Sequence, residues 1–280
     1  MSIYIRCITL LLIYVLQNIM LVSNTTLPPV GIGPLFTFGH TIMSKKSFAL
    51  SETINYAYFE DRSIFFAFTD AYYGITDKLT IIATLPILYQ KQFLNNDTAS
   101  GIGDIFFHTN YKFYSDLTEE YHYRIMNTIG IHLPTSTIPI KTLESLNAAN
   151  FFIGITQDAI THNWFTYTDF GIILTTKHNH FKSGNVLLFN MGVGKIISLH
   201  KGFLTIFAEL NDFYLRPDQI QGKLDLKTGQ NIMLFGPTMR YIYENFLIQA
   251  EIQFVVANHT RFEQEDNLKH ISGFLVAYTF

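Results

Sequence analysis

Charged and amide side chains recur at alternate positions within stretches that are otherwise apolar. Asp104, His108 and Lys112 share one parity with Asn110. Arg124 and His132 share a parity in the next stretch, and Asp158, Asp169, Glu209 and Arg240 sit in four later ones. Gln249, Glu251 and Gln253 occupy successive odd positions, and Asp70 falls in a similar row. Residues two apart in an extended chain point to the same side, so these rows are polar faces. Two uses fit them. They can pair with one another and fill an interior, which burial of charge requires in any case, or they can line a path and contact a solute on it.

Other spacings suggest other chemistry. His178 and His180 in K-H-N-H-F would share one side of a strand, as two metal ligands must, but no carboxylate or third histidine stands near them in sequence. The pair Gly101 and Gly103 in S-G-I-G-D resembles a phosphate-cradling turn, yet no helix follows it to supply the N-terminus that such a turn needs. No metal site, cofactor or catalytic residue is therefore assigned.

The elements that must carry the polar rows have period two throughout. In F-L-I-Q-A-E-I-Q-F-V-V, residues 246–256, Phe246, Ile248, Ala250, Ile252, Phe254 and Val256 oppose Gln249, Glu251 and Gln253. Residues 203–211 and 104–113 repeat the pattern, which fits a strand and no helix. About twelve such stretches follow one another: 47–59, 63–74, 78–90, 103–114, 121–134, 150–159, 164–176, 185–196, 202–214, 229–242, 246–258 and 268–280. Most reach 10 residues or more, the length a membrane-crossing strand needs, whereas ordinary strands average about 5–6. Short connections at 75–77, 115–120, 160–163, 197–201 and 243–245 alternate with longer ones at 91–102, 135–149, 177–184, 215–228 and 259–267. The one exception is a short first hairpin near Glu60. This is the plan of an all-β, antiparallel transmembrane barrel of the bacterial outer-membrane type, with short periplasmic turns, long external loops and both ends in the periplasm.

Composition agrees. Hydrophobic residues make up 48% of the 280 and charged ones only 15%, against roughly 25% charged in soluble domains, which excludes a disordered chain. The net charge of −3 leaves no cationic excess for nucleic acid. Cys7 has no partner, so no disulfide framework exists. Residues 1–23 read as a signal peptide: Arg6, an apolar run, then Ser23 before Asn24. Residues 24–46, with Pro28, Pro29 and Pro34, read as an irregular lead-in that caps or enters the lumen, and 47–280 as the barrel. The chain ends F-L-V-A-Y-T-F. Phe274, Tyr278 and Phe280 form an outward row like the signal by which bacterial barrels engage the assembly machinery. The expected partners are that machinery, outer-membrane lipids and a small-molecule solute, with the cell outer membrane of a Gram-negative-type bacterium as the location.

Four stretches carry a family resemblance: Y-G-I-T-D-K-L-T-I-I-A-T-L-P at 73–86, S-G-I-G-D-I-F-F-H-T-N-Y-K-F at 100–113, I-G-I-H-L-P-T at 129–135 and N-W-F-T-Y-T-D-F-G at 163–171. In order and spacing they resemble the outer-membrane family named for the meta-pathway of phenol degradation, whose members are described as transporters. The resemblance runs from about residue 35 to Phe280 and implies a channel for small, hydrophobic or aromatic solutes. Two alternatives stay open. One is an outer-membrane lipid hydrolase, a phospholipase or deacylase, for which Ser272 and His270 are the neighbouring pair. The other is a secreted soluble binding barrel. In Y-G-I-T-D-K, Gly74 and Asp77 are expected to form a tight turn.

Overall fold

The computed structural model describes residues 39–60, 62–92, 98–137, 148–178, 180–226, 228–260 and 268–280. The expected signal peptide and residues 24–38 of the lead-in lie outside them. Twelve long strands form the wall: β1 Phe48–Phe59, β2 Arg62–Thr76, β3 Leu79–Gln92, β4 Phe106–Leu117, β5 Tyr121–His132, β6 Asn150–Thr161, β7 Trp164–Thr175, β8 Val186–Leu199, β9 Gly202–Leu215, β10 Gln230–Tyr243, β11 Phe246–Thr260 and β12 Leu268–Thr279. Each pairs antiparallel with the next, and β12 pairs with β1 from Ala49↔Thr279 to Phe59↔Leu268. The sheet therefore closes, and no strand edge is left over most of its height.

Strand length follows from the task of crossing hydrocarbon. The wall strands have 12 to 15 residues. At about 3.3 Å per residue and a tilt of about 40°, that gives a wall of about 30–38 Å, enough to cover an apolar band of about 25 Å. The outward face supplies the band. Ile129, Ile153, Val193, Ile206 and Met239 are exposed at mid-height. Tyr73, Tyr121, Trp164 and Phe280 are exposed near the short-turn end, and Tyr58, Tyr89, Phe151 and Tyr214 near the other, as two aromatic girdles. A soluble barrel would expose polar side chains where this one exposes isoleucine.

The two ends differ. Residues 77–78, 118–120, 162–163, 200–201 and 244–245 make short turns at the end that holds both termini of the wall. The strand ends Gln92, His132, Thr175, Leu215 and Thr260 lie at the opposite end, together with the short β1–β2 hairpin. Above this rim, Lys177–His178, Phe181–Lys182, Gln219–Ile220 and Lys223–Leu224 form a separate four-stranded sheet. Residues 177–184 were expected as loop, because two-residue strands carry no periodicity. The segment Thr98–Ile102 folds back onto the upper half of β3, from Lys91↔Thr98 to Ile87↔Ile102, so β3 meets β4 only over Leu79–Thr84. The first strand after that loop begins at Phe106 rather than at residue 103.

Candidate functional site

The interior is built by the buried parity of each strand, and the polar rows of the sequence fall on it. Arg124, Asp158, Asp169, Glu209, Arg240, Gln249, Glu251 and Gln253 are all inward and at most 6% exposed. Their registers bring them together: Arg124↔Asp158, Thr156↔Asp169 and Arg240↔Gln249 are cross-strand pairs. His108 and His132 are inward too, either side of Phe106, with ring centroids 4.7 and 4.0 Å from it. Lys112 is inward and half-buried near the short-turn end. Asp104 is the exception. It is buried but precedes β4, and its Oδ1 accepts the Ser136 N–H at 2.9 Å, so it ties two connections together rather than facing the lumen from the wall.

The periodicity did not reveal the strap. Residues 39–47, the described part of the lead-in, enter the barrel from the short-turn end and cross it. Lys46 N–H donates to Gly74 O at 2.7 Å, and Lys45 N–H to Asp77 Oδ1 at 2.8 Å. Met43 N–H donates to Thr80 Oγ1 at 2.7 Å, and Thr41 O accepts Asn110 Nδ2 at 3.1 Å. The Met43 side chain packs into an apolar ring with Tyr72, Ile82, Ile242, Leu247 and Leu275. Gly74 was expected in a turn. Instead it lies in β2 opposite the strap, where a Cβ would meet Ser44 O at 2.0 Å, while Asp77 alone serves the turn.

The strap ends in an ionic latch. His40 lies between two strands, its Nδ1 3.3 Å from Asp158 Oδ2 and its Nε2 3.0 Å from Asp169 Oδ1. Its ring stands edge-on to Tyr167 at 5.0 Å and Phe165 at 6.3 Å. Burial alone lowers the His40 pKa, but the Asp169 and Asp158 carboxylates outweigh it and raise it to about 9. Arg124 completes the group, with Nε donating to Asp158 Oδ1 at 2.9 Å, Nη2 to Asp158 Oδ2, and Nη2 to His40 O at 3.5 Å. Asp158 thus binds a guanidinium bidentately and an imidazolium at once. Gly39 has φ +83°, and a Cβ on it would meet Thr156 Oγ1 at 2.3 Å, so only glycine carries the strap past β6 here.

Above this belt the inner wall becomes apolar on the side of β1, β2 and β9–β12, while His108, His132 and Asn150 line it on β4–β6. Ala57, Ile64, Leu234 and Leu268 pack with Phe66, Phe213, Ile232, Val255 and Ile271. On the outer wall, the His270 ring stacks on Tyr58 at 5.4 Å and faces Phe254 at 6.4 Å. Among the described residues neither His270 nor Ser272 is hydrogen-bonded to a carboxylate.

The architecture has solved counterparts. The crystal structure of the COG4313 outer membrane channel from Pseudomonas putida F1 superposes with a TM-score of 0.71, covering 89% of this chain and 100% of that one at 12% identity. The β domain of the Bordetella autotransporter BrkA gives 0.50, over 85% and 100%, at 8% identity. At such identities the likeness is one of fold: a closed, twelve-stranded barrel of the outer-membrane kind. No family model matches the chain, and no curated protein matches it.

Proposed function

We propose that the protein resides in the outer membrane and lets small, hydrophobic or aromatic solutes through a lumen that the N-terminal strap closes at rest. The observation that carries this reading is the strap itself, held across the lumen by the Arg124–Asp158–His40–Asp169 latch below an inner wall that is apolar on one side. A hydrophilic pore would present polar side chains along its whole height. Here one side of the half nearer the long loops, from β9 round to β2, offers Phe66, Phe213, Ile232 and Ile271. For twelve strands the interior is only modestly wider than in an eight-stranded barrel, which side chains alone can fill. Inward Phe106, Phe207 and Arg240 narrow it further. The resemblance to the meta-pathway family supports a hydrophobic or aromatic solute, and the polar rows act in this reading as the lining that the solute passes.

Planar-bilayer recordings test it. The full-length mature protein should give small or no steady conductance, and a chain lacking residues 39–46 a larger one. A large, steady, unselective current from the intact protein would sink the proposal.

A further inference from the structure

A second charged group stands inside the barrel, apart from the latch. Glu209 on β9 and Glu251 on β11 flank β10 and are 1% and 6% exposed. Thr238 Oγ1 on β10 donates to Glu209 Oε2 at 2.5 Å and lies 3.5 Å from Glu251 Oε2. One hydroxyl proton therefore stands between two carboxylates and serves one of them. Gln253, fully buried on β11, donates Nε2 to Glu209 Oε2 at 3.3 Å. Glu209 Oε1, Glu251 Oε1 and the Gln253 carbonyl Oε1 have no partner within hydrogen-bond geometry, and the Tyr167 hydroxyl, also without one, stands beside Glu209.

No cation of the described residues forms an ion pair with either carboxylate. Arg240 is near both carboxylates, and its Nη2 has no hydrogen-bond partner. Its Nε donates to Gln249 Oε1 at 2.9 Å, and its guanidinium lies over Phe207 at 5.0 Å and Phe165 at 5.7 Å. Residues 7–38, which precede the strap, contain no charged side chain. With His40 protonated, the buried belt holds three cations, His40, Arg124 and Arg240, against four carboxylates, Asp158, Asp169, Glu209 and Glu251. With both glutamates ionised, one negative charge is in excess of these three cations, at a depth where an uncompensated charge is costly.

The neighbourhood indicates what kind of cation would fit. One inward position further, Asn211 on β9 is still polar, but β10, β11 and β12 turn apolar. Leu234 is two residues before Gly236, which is in register with Glu209; Val255 is two beyond Gln253; Ile271 is in register with Gln253. A hydrated divalent ion seeks about six or more oxygen ligands and gains nothing from such a wall. A primary ammonium brings one positive charge and three N–H donors, matching one excess charge and three free acceptors, and a tail attached to it would lie on Leu234, Phe213, Val255 and Ile271. We propose that Glu209, Glu251 and Gln253 form a binding site for the primary ammonium headgroup of an amphiphile whose tail occupies the apolar side of the lumen. The proposal rests on the reading that apolar solutes enter this lumen and adds the headgroup that the site selects.

Equilibrium dialysis of the full-length mature protein in nanodiscs, with empty nanodiscs as blank, tests it at neutral pH. The probes are hexylammonium, hexyltrimethylammonium and hexanol. Glu209→Gln and Glu251→Gln keep the side-chain shape and remove one buried charge each, so both variants should fold, as heat-modifiable mobility will show. If one does not, the other and Gln253→Leu carry the test. Loss of a charge-assisted hydrogen bond should weaken hexylammonium binding roughly tenfold or more in each glutamine variant and leave hexanol binding unchanged. Hexyltrimethylammonium, which has no N–H, should bind the wild type roughly tenfold more weakly than hexylammonium. The proposal is overturned if hexylammonium binds the variants as tightly as the wild type, the result expected of two carboxylates that merely share a proton, or if it binds the wild type no better than hexanol. If hexanol binds and the ammonium has no advantage, this site alone is refuted. If neither binds, the reading of an apolar solute path fails with it.

Discussion

Raising the pH should release the strap. Docked, the His40 imidazole has a pKa of about 9 against 6.5 for a histidine in water. Below the lower value the ring is protonated whether docked or free, and its contribution to docking is complete. Between the two, the docked form keeps a proton that the free form gives up. As the pH rises through about 9 the docked ring loses it as well, and the contribution is gone. The difference corresponds to about 3 kcal/mol, or roughly a hundredfold in the docking equilibrium. Asp158 keeps its bidentate Arg124 after the change, so Asp169 is left as the uncompensated charge. The readout is hydrogen exchange at the amides of Met43 and Lys45, which donate to Thr80 Oγ1 and Asp77 Oδ1, corrected for the intrinsic base-catalysed rate. Their protection should fall by up to two orders of magnitude between pH 6 and pH 10, while amides in the middle of β11 stay protected. His40→Gln should remove the step and give low protection at both pH values. Undiminished protection of the two amides at pH 10, or the same profile in His40→Gln, would refute the argument that the ion pairs hold the strap.

Three further outcomes are expected. Ala250→Arg places a guanidinium on the outward face in the middle of β11 and should cost about 2–4 kcal/mol of stability in lipid, clearly more than Glu251→Arg on the inward face; equal costs in folding titrations would mean that this face does not meet hydrocarbon. Gly39→Ala should dislodge the strap, because its Cβ would meet Thr156 Oγ1 at 2.3 Å with φ at +83°; a bilayer conductance identical to the wild type would contradict that. Deleting Phe280 removes a ring 4.7 Å from that of Tyr278 and the N–H that Phe48 O accepts at 2.7 Å, and should lower the amount of heat-modifiable protein in the outer membrane; normal levels would show that the terminal aromatic is dispensable for insertion.

The wall could be read from the sequence because one face of each strand meets hydrocarbon and the other an enclosed interior, and that contrast writes period two into the chain. The parity of Gln249, Glu251 and Gln253 and the outward position of Ala250 follow from it directly. The same contrast says nothing of His40. The lead-in has no alternation, and a histidine between a glycine and a threonine gives no sign that Asp158 and Asp169, far along the chain, close on it. Thr238 was missed for a related reason: its hydroxyl matters only because register sets it between two glutamates on neighbouring strands. Gly74 was assigned to a turn since glycine is common there, whereas its lack of a side chain serves a segment nearly thirty residues earlier in the chain. Thr98–Ile102 and the small sheet above the rim are too short to show a period.

The seam between β1 and β12 joins the first and last strands of the wall, and the strap runs directly into β1. The segment that precedes the first wall strand therefore ends up at the centre, and the last wall strand shuts the wall around it. Once the seam has zipped, the interior can be reached only through the rims. Assembly thus has an order built into it: the strap must be drawn inward before or while the last strand pairs, or be threaded in afterwards from the short-turn end. Refolding from denaturant should accordingly yield two populations with the same wall and different contents, and their ratio should depend on how fast the seam closes relative to how fast the latch finds its carboxylates.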